Sequence, residues 1–565
     1  ALMQAKLRPL AYIQTMADVG RVHHAKQLAL HLTRLCASAI PTHWMRIMLP
    51  AETAAAAAFV DAAISDAVAC ILSFSDSPSE RAALADIVAR LPARIGGLGT
   101  ANFLPSRHAC FASAFTAAWP TCCAILPALA TLSIADGATP TLAGFCDAWT
   151  HLRTTLASVR VRHAVLDADT RTWVDGSVHS AHRPSLASNF VLPALADLFD
   201  GASSTLTSRY SQRALAAVIN SDLWLQCKAQ HVAFDIVNAP NATVRDRESA
   251  RLVSCSQEGS GAWLCRLPDD TVRYSVIPSN AHTVICQRRL GLYLTALAPA
   301  LNARAHRGRA VSQHERLGDA AINSANKSHR HAVALRASFT AFAALSLPDQ
   351  PAGSLRLGDR GDGTATGKAD ARLRYAHINA THVPDFLRHG AQPHCYEFKC
   401  YTCFPANPAL GHGSTTHGGA ASTADGGHFA FGNTEEALRV RVLGVPARGV
   451  PADGPLDRHT GIGWVAATTN HDYADALDKG NLVTLLCTET TGALSTGFAL
   501  LLRVLGRLSR APGSRDSTCY GVSRASPHTF YAHHIAAISS AIVLADALTV
   551  LNAASHLSYM LSTGM

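Results

Sequence analysis

Two acidic residues and one lysine occur in a spacing that could support phosphodiester cleavage. Asp385 follows Pro384, eleven residues separate it from Glu397, and Lys399 stands two positions further on. Carboxylate oxygens are the ligands that Mg²⁺ prefers, and a bound Mg²⁺ activates water and neutralises phosphate charge. A lysine ammonium can orient that water or stabilise charge in the transition state. The pattern is typical of a metal-dependent nuclease; the alternative is an ordinary turn followed by a strand with surface charges.

Two short strands joined by a turn would bring these residues together. The segments 382–387 and 395–401 each place one acidic residue among apolar or aromatic neighbours, which predicts two strands that enter a core. In such a hairpin Asp385 and Glu397 lie side by side. Because side chains alternate between the two faces of a strand, Glu397 and Lys399 lie on one face.

The composition favours helices over most of the chain and is compatible with a nucleic-acid partner. Alanine supplies much of the 48% hydrophobic content of the 565 residues, and aromatic residues make up only 6%. A chain of this length is too long for one core, so we expect about three domains, rich in helices that pack through small side chains. The net charge of +9 fits nucleic acid, and an arginine-rich bias of the genome explains it equally well.

The cysteines and the apolar stretches indicate an intracellular protein. Fifteen cysteines show no disulfide-like spacing, which indicates a reducing compartment, the nucleus or the cytoplasm. No basic-then-apolar leader follows Ala1, so we expect no signal peptide. The apolar stretch 535–551 contains Asp546 and predicts a buried helix, so no membrane partner is expected. Zinc is not expected at Cys400-x-x-Cys403, because a structural zinc site needs four ligands and the sequence has no second such pair.

The periodicity of apolar residues predicts an order of elements along the chain. Helices are expected at 25–37 and 51–72, further helix up to position 159, and helix with polar breaks over 160–250. Strands are expected after a turn within 254–268 and at 271–277 and 282–286. Beyond these we expect a helix at 327–345, loops at 353–368 and 407–427, a helix beginning over 472–477, a strand at 482–490, a helix at 494–508 and a pair of helices over 530–554. From 327 onward this order, with the two motif strands, is typical of an α/β nuclease core.

Three further residues could support the site. Arg330 and His331 lie in the helix predicted at 327–345, where they could contact phosphate or metal, or form a solvated basic helix end. Glu489 ends the strand predicted at 482–490. It is either a carboxylate that supports the site or a strand-end residue with local hydrogen bonds.

Five segments occur in an order that a known family shares. They are Leu91–Gly99 (LPARIGGLG), Arg289–Leu294 (RLGLYL), Arg330–Ala332 (RHA), Pro384-Asp385 with Glu397-x-Lys399, and Val483–Gly492 (VTLLCTETTG) preceded by Tyr473. In this order they resemble the C-terminal part of the reverse-transcriptase-like proteins of non-LTR retrotransposons that carry a restriction-like endonuclease. The fourth segment is similar to the PD-(D/E)xK core of that endonuclease.

The resemblance implies a set of roles. Asp385 and Glu397 would hold Mg²⁺ or Mn²⁺, Lys399 would position the attacking water, and Arg330 and His331 would support phosphate or metal. DNA would be the substrate and the RNA of the element a further partner. The nick would supply a 3′-hydroxyl for target-primed reverse transcription.

The chain also departs from the family pattern. Between Leu294 and Lys327, where the family has a zinc knuckle, there is no cysteine. Ala332 stands where the family has asparagine. The polymerase palm signature, aromatic-x-Asp-Asp, is absent, so no polymerase activity is expected from this chain.

The sequence therefore predicts a mixed α+β and α/β fold in three parts. A helical region similar to a reverse-transcriptase thumb or connector covers 1–159, and a helical linker region covers 160–269. A restriction-endonuclease-like α/β core with C-terminal helices covers 270–565, with a flexible loop near 407–427. The predicted function is that of a Mg²⁺-dependent DNA endonuclease. The alternatives are a catalytically inactive retroelement remnant that binds nucleic acid or serves as a structural protein, and an α-rich scaffold.

Overall fold

The chain is mostly helical in the part that the structure describes. This computed structural model describes residues 10–11, 13–15, 23–37, 40–100, 102–132, 134, 136–166, 190–195, 210–238, 247–270, 272–323, 327–343, 355–357, 386–388, 394–401, 482–494, 496–510, 516, 520–521 and 527–563. Contacts divide the chain into two compact units, Ala1–Phe234 and Asp235–Met565. The division into 1–159, 160–269 and 270–565 stays a prediction.

The described part of the first unit consists of helices and turns. Its helices are α1 (Ala25–Leu35), α2 (Ile40–Ile47), α3 (Pro50–Leu72), α4 (Ser79–Arg90), α5 (Phe103–Ile125), α6 (Pro140–Ala164) and α7 (Gln212–Asn238), the last of which continues into the second unit. The helices expected at 25–37 and 51–72 are confirmed by α1 and α3. The helical character of the described N-terminal half follows from its alanine- and leucine-rich composition.

Aromatic side chains fill the core of the first unit. Trp149 on α6 is fully buried, and its Nε1 donates a hydrogen bond to the Pro193 carbonyl at 3.0 Å. The edge of Tyr210 packs against the Trp149 ring with 5.2 Å between centroids. A buried indole of this kind contributes a large apolar area while its N–H keeps a partner.

The turn at 91–99 depends on its glycines. Gly96 and Gly99 have positive φ values of 103° and 74°, a region in which other residues are strained. Gly97 allows a close approach instead, because a Cβ built there would lie 1.9 Å from the Leu91 carbonyl oxygen. The glycine cluster is therefore required by this tight connection between α4 and α5.

We expect Gly97→Ala to destabilise the first unit by about 3 kcal/mol, since the methyl group would displace backbone atoms in a packed turn. Gly137→Ala is the matched control. Gly137 has a φ of 58°, but its Cβ would meet the nearest atom only at 3.4 Å, so the cost is about 1 kcal/mol from the backbone alone. Urea unfolding of the full chain, followed by tryptophan fluorescence, measures both. Equal losses of unfolding free energy in the two variants would contradict the close approach of Gly97 to the Leu91 carbonyl oxygen.

The described part of the second unit combines helices with one small sheet. Its helices are α8 (Arg247–Cys255), α9 (Ser279–Leu290), α10 (Ala298–His306), α11 (Gln313–Arg316), α12 (Asp319–Asn323), α13 (Lys327–Ala343), α14 (Thr496–Leu508) and α15 (Phe530–Ser562). Its strands are β1 (Leu355–Leu357), β2 (Phe386–Arg388), β3 (His394–Tyr401) and β4 (Leu482–Glu489). The helices expected at 327–345 and 494–508 and the strand expected at 482–490 are confirmed by α13, α14 and β4.

The four strands form one sheet in the order β1-β2-β3-β4. β1 pairs antiparallel with β2, and β2 pairs antiparallel with β3. β3 and β4 pair in parallel over their full length, from His394 opposite Leu482 to Tyr401 opposite Glu489. The strand predicted at 395–401 is therefore confirmed by β3, and its neighbour β2 overlaps the strand predicted at 382–387 only at positions 386 and 387 among the described residues.

Several expectations of secondary structure were wrong. Instead of strands, the structure has a 3-10 turn at Ala262–Cys265, irregular chain over 272–278, and the helix α9 across 282–286. β-branched residues at 283–285 favour a strand. However, every residue of α9 from Ala281 to Leu290 is buried, including five polar or charged ones, so polar and apolar residues do not separate into two faces with a helical period.

Two more boundaries differ from the expectation. β1 lies within the segment 353–368, which was expected to be a loop, and one continuous helix, α15, replaces the expected pair over 530–554. No glycine or proline interrupts α15, so its alanine-rich sequence continues as one helix. The loop predicted at 407–427 and the helix predicted at 472–477 lie outside the described residues.

Two described helices, α3 and α15, are long and apolar enough to span a membrane by length and composition. Of the most apolar window of each, 44% is buried in α3 and 78% in α15. Core helices of soluble proteins have the same properties. The burial of α15 agrees with the buried helix predicted at 535–551.

Candidate functional site

The register of the sheet sets where the motif residues stand. Phe386, the first residue of β2, lies opposite Tyr396 of β3. Glu397 therefore directly follows the residue that pairs with the start of β2. Asp385, the residue before Phe386, lies outside the described residues.

Glu397 and Lys399 occupy one face of β3, because residues two apart in a strand share a face. Along β4 they lie opposite Leu485 and Cys487. The intervening position, Phe398, belongs to the other face and is fully buried. The continuous strand β3 meets the condition for Glu397 and Lys399 to share a face, and the position of their side chains stays a prediction.

The other face of the sheet packs on the core of the second unit. Tyr396, Phe398 and Leu486 are buried there with residues of α13, α14 and α15. The Phe398 ring meets the Phe498 ring of α14 edge to face, with 6.5 Å between centroids. This packing fixes the orientation of β3 and assigns positions 397 and 399 to the face away from these aromatic residues.

The helix α13 carries two of the predicted site residues. It packs against β1, β3 and α15, and Arg330 and His331 stand near its start. The helix α13 therefore neighbours β3, but residues in its middle pack in the core with Phe398, on the face opposite positions 397 and 399. The proposed contacts of Arg330 and His331 with phosphate or metal stay a prediction.

A third charged residue shares this side of the β3–β4 pair. Glu489 is the last residue of β4 and lies opposite Tyr401. Because residues two apart in a strand share a face, its position is on the same face of the sheet as positions 397 and 399. Its side chain is buried and accepts a hydrogen bond from the Ser254 hydroxyl of α8. Ser254 also lies 2.7 Å from the Thr491 hydroxyl. The backbone of Glu489 also makes the local hydrogen bonds expected at a strand end, to the Ala493 carbonyl at 2.9 Å and from the Gly492 N–H at 2.8 Å, whereas its side chain has the long-range partner Ser254.

Burial raises the pKa of Glu489 from 4.5 to about 7, and the Ser254 hydrogen bond opposes the rise. A carboxyl group with a raised pKa binds its proton more tightly in the folded state than in the unfolded state. Its contribution to stability is thus largest below pH 4.5 and is lost as the pH rises to about 7. The neighbouring Cys255 thiol is also buried, and its pKa is raised by that burial.

We expect Glu489→Gln to remove this pH dependence. Relative to the variant, the wild-type protein should lose on the order of 3 kcal/mol of unfolding free energy between pH 4.5 and 7.5. Urea unfolding of both proteins across this range measures the difference. Parallel stability curves for the two proteins would contradict a buried carboxyl at this position.

Next to Glu489 lies a cluster of buried arginines that sequence reasoning missed. Arg251 Nε binds Glu248 Oε2 at 3.0 Å, and both side chains are almost fully buried. Arg288 lies between Asp319 and Asp546, at 3.7 and 3.5 Å. In the sequence, only the three-residue spacing of Glu248 and Arg251 indicates this cluster, because that spacing is typical of an ion pair within a helix.

Arg289, the neighbour of Arg288, binds two backbone carbonyls. Its two terminal nitrogens donate to the carbonyls of Ser260 and Cys255, at 2.8 and 3.0 Å. Arg289 opens the segment RLGLYL, whose Gly291 has a positive φ of 73°. A Cβ at Gly291 would lie 2.5 Å from Glu248 Oε2, so this glycine leaves room for the buried ion pair.

Metal-ligating side chains do not cluster in the part of the chain that the structure describes. Among those residues no group of three or more histidine, cysteine, aspartate or glutamate side chains could hold a metal ion. The described residues include neither Asp385 nor the side chains of Glu397 and Lys399. The predicted Mg²⁺ site therefore stays a prediction.

Comparison of the chain with family models, with curated proteins and with solved structures finds no match.

Proposed function

We propose that this chain contains a Mg²⁺-dependent DNA endonuclease domain of a retrotransposon-derived protein. The observation that carries the proposal is the pairing of Phe386 with Tyr396. The proposal requires this antiparallel register to continue by one residue, which would set Asp385 opposite Glu397. Directly opposed residues have Cβ atoms about 5 Å apart, close enough for two carboxylates to share one cation.

The donor set fits the proposed cation. Two carboxylates are hard oxygen ligands, which suit Mg²⁺ or Mn²⁺ and leave room for water in the coordination shell. When bound, the cation would activate water and neutralise phosphate charge. Asp385 and Glu397 would hold it, and Lys399, two residues from Glu397 on the same face, would orient the attacking water.

Strand cleavage would then proceed by hydrolysis. Water attacks phosphorus, the bond between phosphorus and O3′ breaks, and a proton passes to O3′, leaving a 3′-hydroxyl and a 5′-phosphate. Arg330 and His331 at the start of α13 would donate hydrogen bonds to the phosphate oxygens. By the resemblance, that 3′-hydroxyl would prime reverse transcription of the element RNA.

The second candidate function is that of an inactive retroelement remnant that binds nucleic acid or has a structural role. The departures from the family favour it, namely the missing cysteines between Leu294 and Lys327 and Ala332 in place of asparagine. The retained Asp385, Glu397 and Lys399 favour the enzyme.

Nicking of supercoiled plasmid by the full chain tests the proposal. We expect conversion to open circles with Mg²⁺, none with EDTA, and loss of activity in Asp385→Asn and in Glu397→Gln. Far-ultraviolet circular dichroism checks that the variants are folded. A folded wild-type protein that leaves the plasmid intact with Mg²⁺ and with Mn²⁺ would favour the remnant, and cleavage unaffected by both variants would exclude this site.

A further inference from the structure

A small cavity in the second unit is lined by hydrogen-bond donors together with apolar side chains. It has a volume of about 20 Å³, and its walls include Arg251, Arg288, Arg289, Trp263 and Thr490. All five residues are more than nine-tenths buried. No aspartate or glutamate is among the described residues that line it.

Two of these groups lack a hydrogen-bond partner. Trp263 Nε1 and Thr490 Oγ1 are buried, and neither has a hydrogen-bond partner. Burying such a group without a partner costs about 1–3 kcal/mol, so an unseen acceptor in the cavity would stabilise the fold. Both groups belong to residues that line the same small space.

The charged residues among those that line the cavity are arginines. The carboxylates of Glu248, Asp319 and Asp546 pair with Arg251 and Arg288, but none of the three lines the cavity. An occupant of the cavity would therefore be adjacent to three arginine residues, whereas the carboxylates that pair with two of them do not line it. In a region of low dielectric constant, a charge at that position interacts strongly with the nearest cations.

We propose that this cavity binds a monatomic anion, with chloride as the ion generally available. A space of about 20 Å³ accommodates one particle the size of a water molecule, since a single water needs roughly 10–15 Å³. A phosphate, with four oxygens around phosphorus, is larger than this. A water molecule donates two hydrogens as well as accepting, whereas the unpartnered Trp263 Nε1 can only donate and the unpartnered Thr490 hydroxyl also offers a hydrogen, so a pure acceptor matches this pair.

The bound anion would join three parts of the second unit. Arg251 belongs to α8, Arg288 and Arg289 belong to α9, and Thr490 follows β4. An ion held by all of them would fix the end of β4 against these two helices. The anion site uses none of the residues 385, 397 and 399, so the test of the anion site is independent of the test of the proposed nuclease.

Hydrogen exchange in the full chain tests the anion site. The exchange of amides in 260–266 and 483–494 is compared in sodium chloride and in sodium gluconate at equal ionic strength. We expect slower exchange in chloride, by about tenfold when chloride is at ten times its Kd. Trp263→Phe and Thr490→Val, which remove one donor each and nearly keep the shape, should reduce the chloride effect.

Ser540→Ala is the matched control. Ser540 is also a buried hydroxyl without a partner, but it does not line the cavity, so its variant should keep the full chloride effect. Crystals grown in sodium bromide should show an anomalous peak between Trp263 Nε1 and Thr490 Oγ1. Equal exchange in chloride and gluconate, a chloride effect unchanged in both donor variants, or a water molecule without anomalous signal in the cavity would each overturn the proposal.

Discussion

Lys399→Ala is expected to lower the rate of plasmid nicking by about 10²–10³-fold while leaving the affinity for Mn²⁺ unchanged. A single preorganised donor aimed at developing charge is typically worth this factor in rate. The side chain of Lys399 is assigned to water and phosphate and not to the metal, so its removal should affect the chemical step alone. Single-turnover nicking together with Mn²⁺ titration separates the two effects.

Lys26→Ala provides the control for this substitution. Lys26 lies on α1 in the first unit and is one of only seven lysines in the chain. Its removal lowers the net positive charge by the same amount and should leave the nicking rate unchanged. A loss of nicking in both variants would show that general charge, and not the position of Lys399, supports the reaction.

Arg251→Met is expected to destabilise the second unit by about 3–5 kcal/mol. Arg251 and Glu248 form an ion pair in which the side chains are only 3% and 4% exposed. Methionine keeps much of the side-chain volume but leaves the Glu248 carboxylate buried without this cation. Urea unfolding measures the loss, and Glu248→Gln combined with Arg251→Met should recover part of it because no buried charge is then left over.

The matched control is a more exposed ion pair in the same unit. Arg304 Nη1 lies 2.6 Å from Glu315 Oε1, with side chains 28% and 24% exposed. Solvent screens such a pair, so Arg304→Met should cost less than about 1 kcal/mol. Similar losses from Arg251→Met and Arg304→Met would contradict the importance of burial for the Arg251 ion pair.

The local pattern of apolar residues predicted secondary structure correctly where it showed one clear periodicity. The alternation of residues around Glu397 predicted β3, and the apolar run at 482–490 predicted β4. The pattern failed for α9, whose residues are buried on every side and whose β-branched centre resembles a strand. It also missed β1, a strand of three residues that is too short to show any period.

The candidate site was predictable only in part. Spacing and alternation placed Glu397 and Lys399 on one face of a strand, because this property is local. The contact of Ser254 with Glu489 joins residues 235 positions apart, so no local pattern predicts it. The same applies to Arg288 and Asp546, which belong to separate helices and meet only when the second unit folds.

The central claim is that Asp385 and Glu397 together hold one divalent cation, and Mn²⁺ binding to the full chain tests it most directly. Titration followed by electron paramagnetic resonance should show one bound Mn²⁺ per chain in the wild-type protein. Asp385→Asn and Glu397→Gln should each abolish that binding, since each removes one of the two carboxylates. Unchanged Mn²⁺ binding in both variants, or no binding by the folded wild-type protein, would contradict the claim.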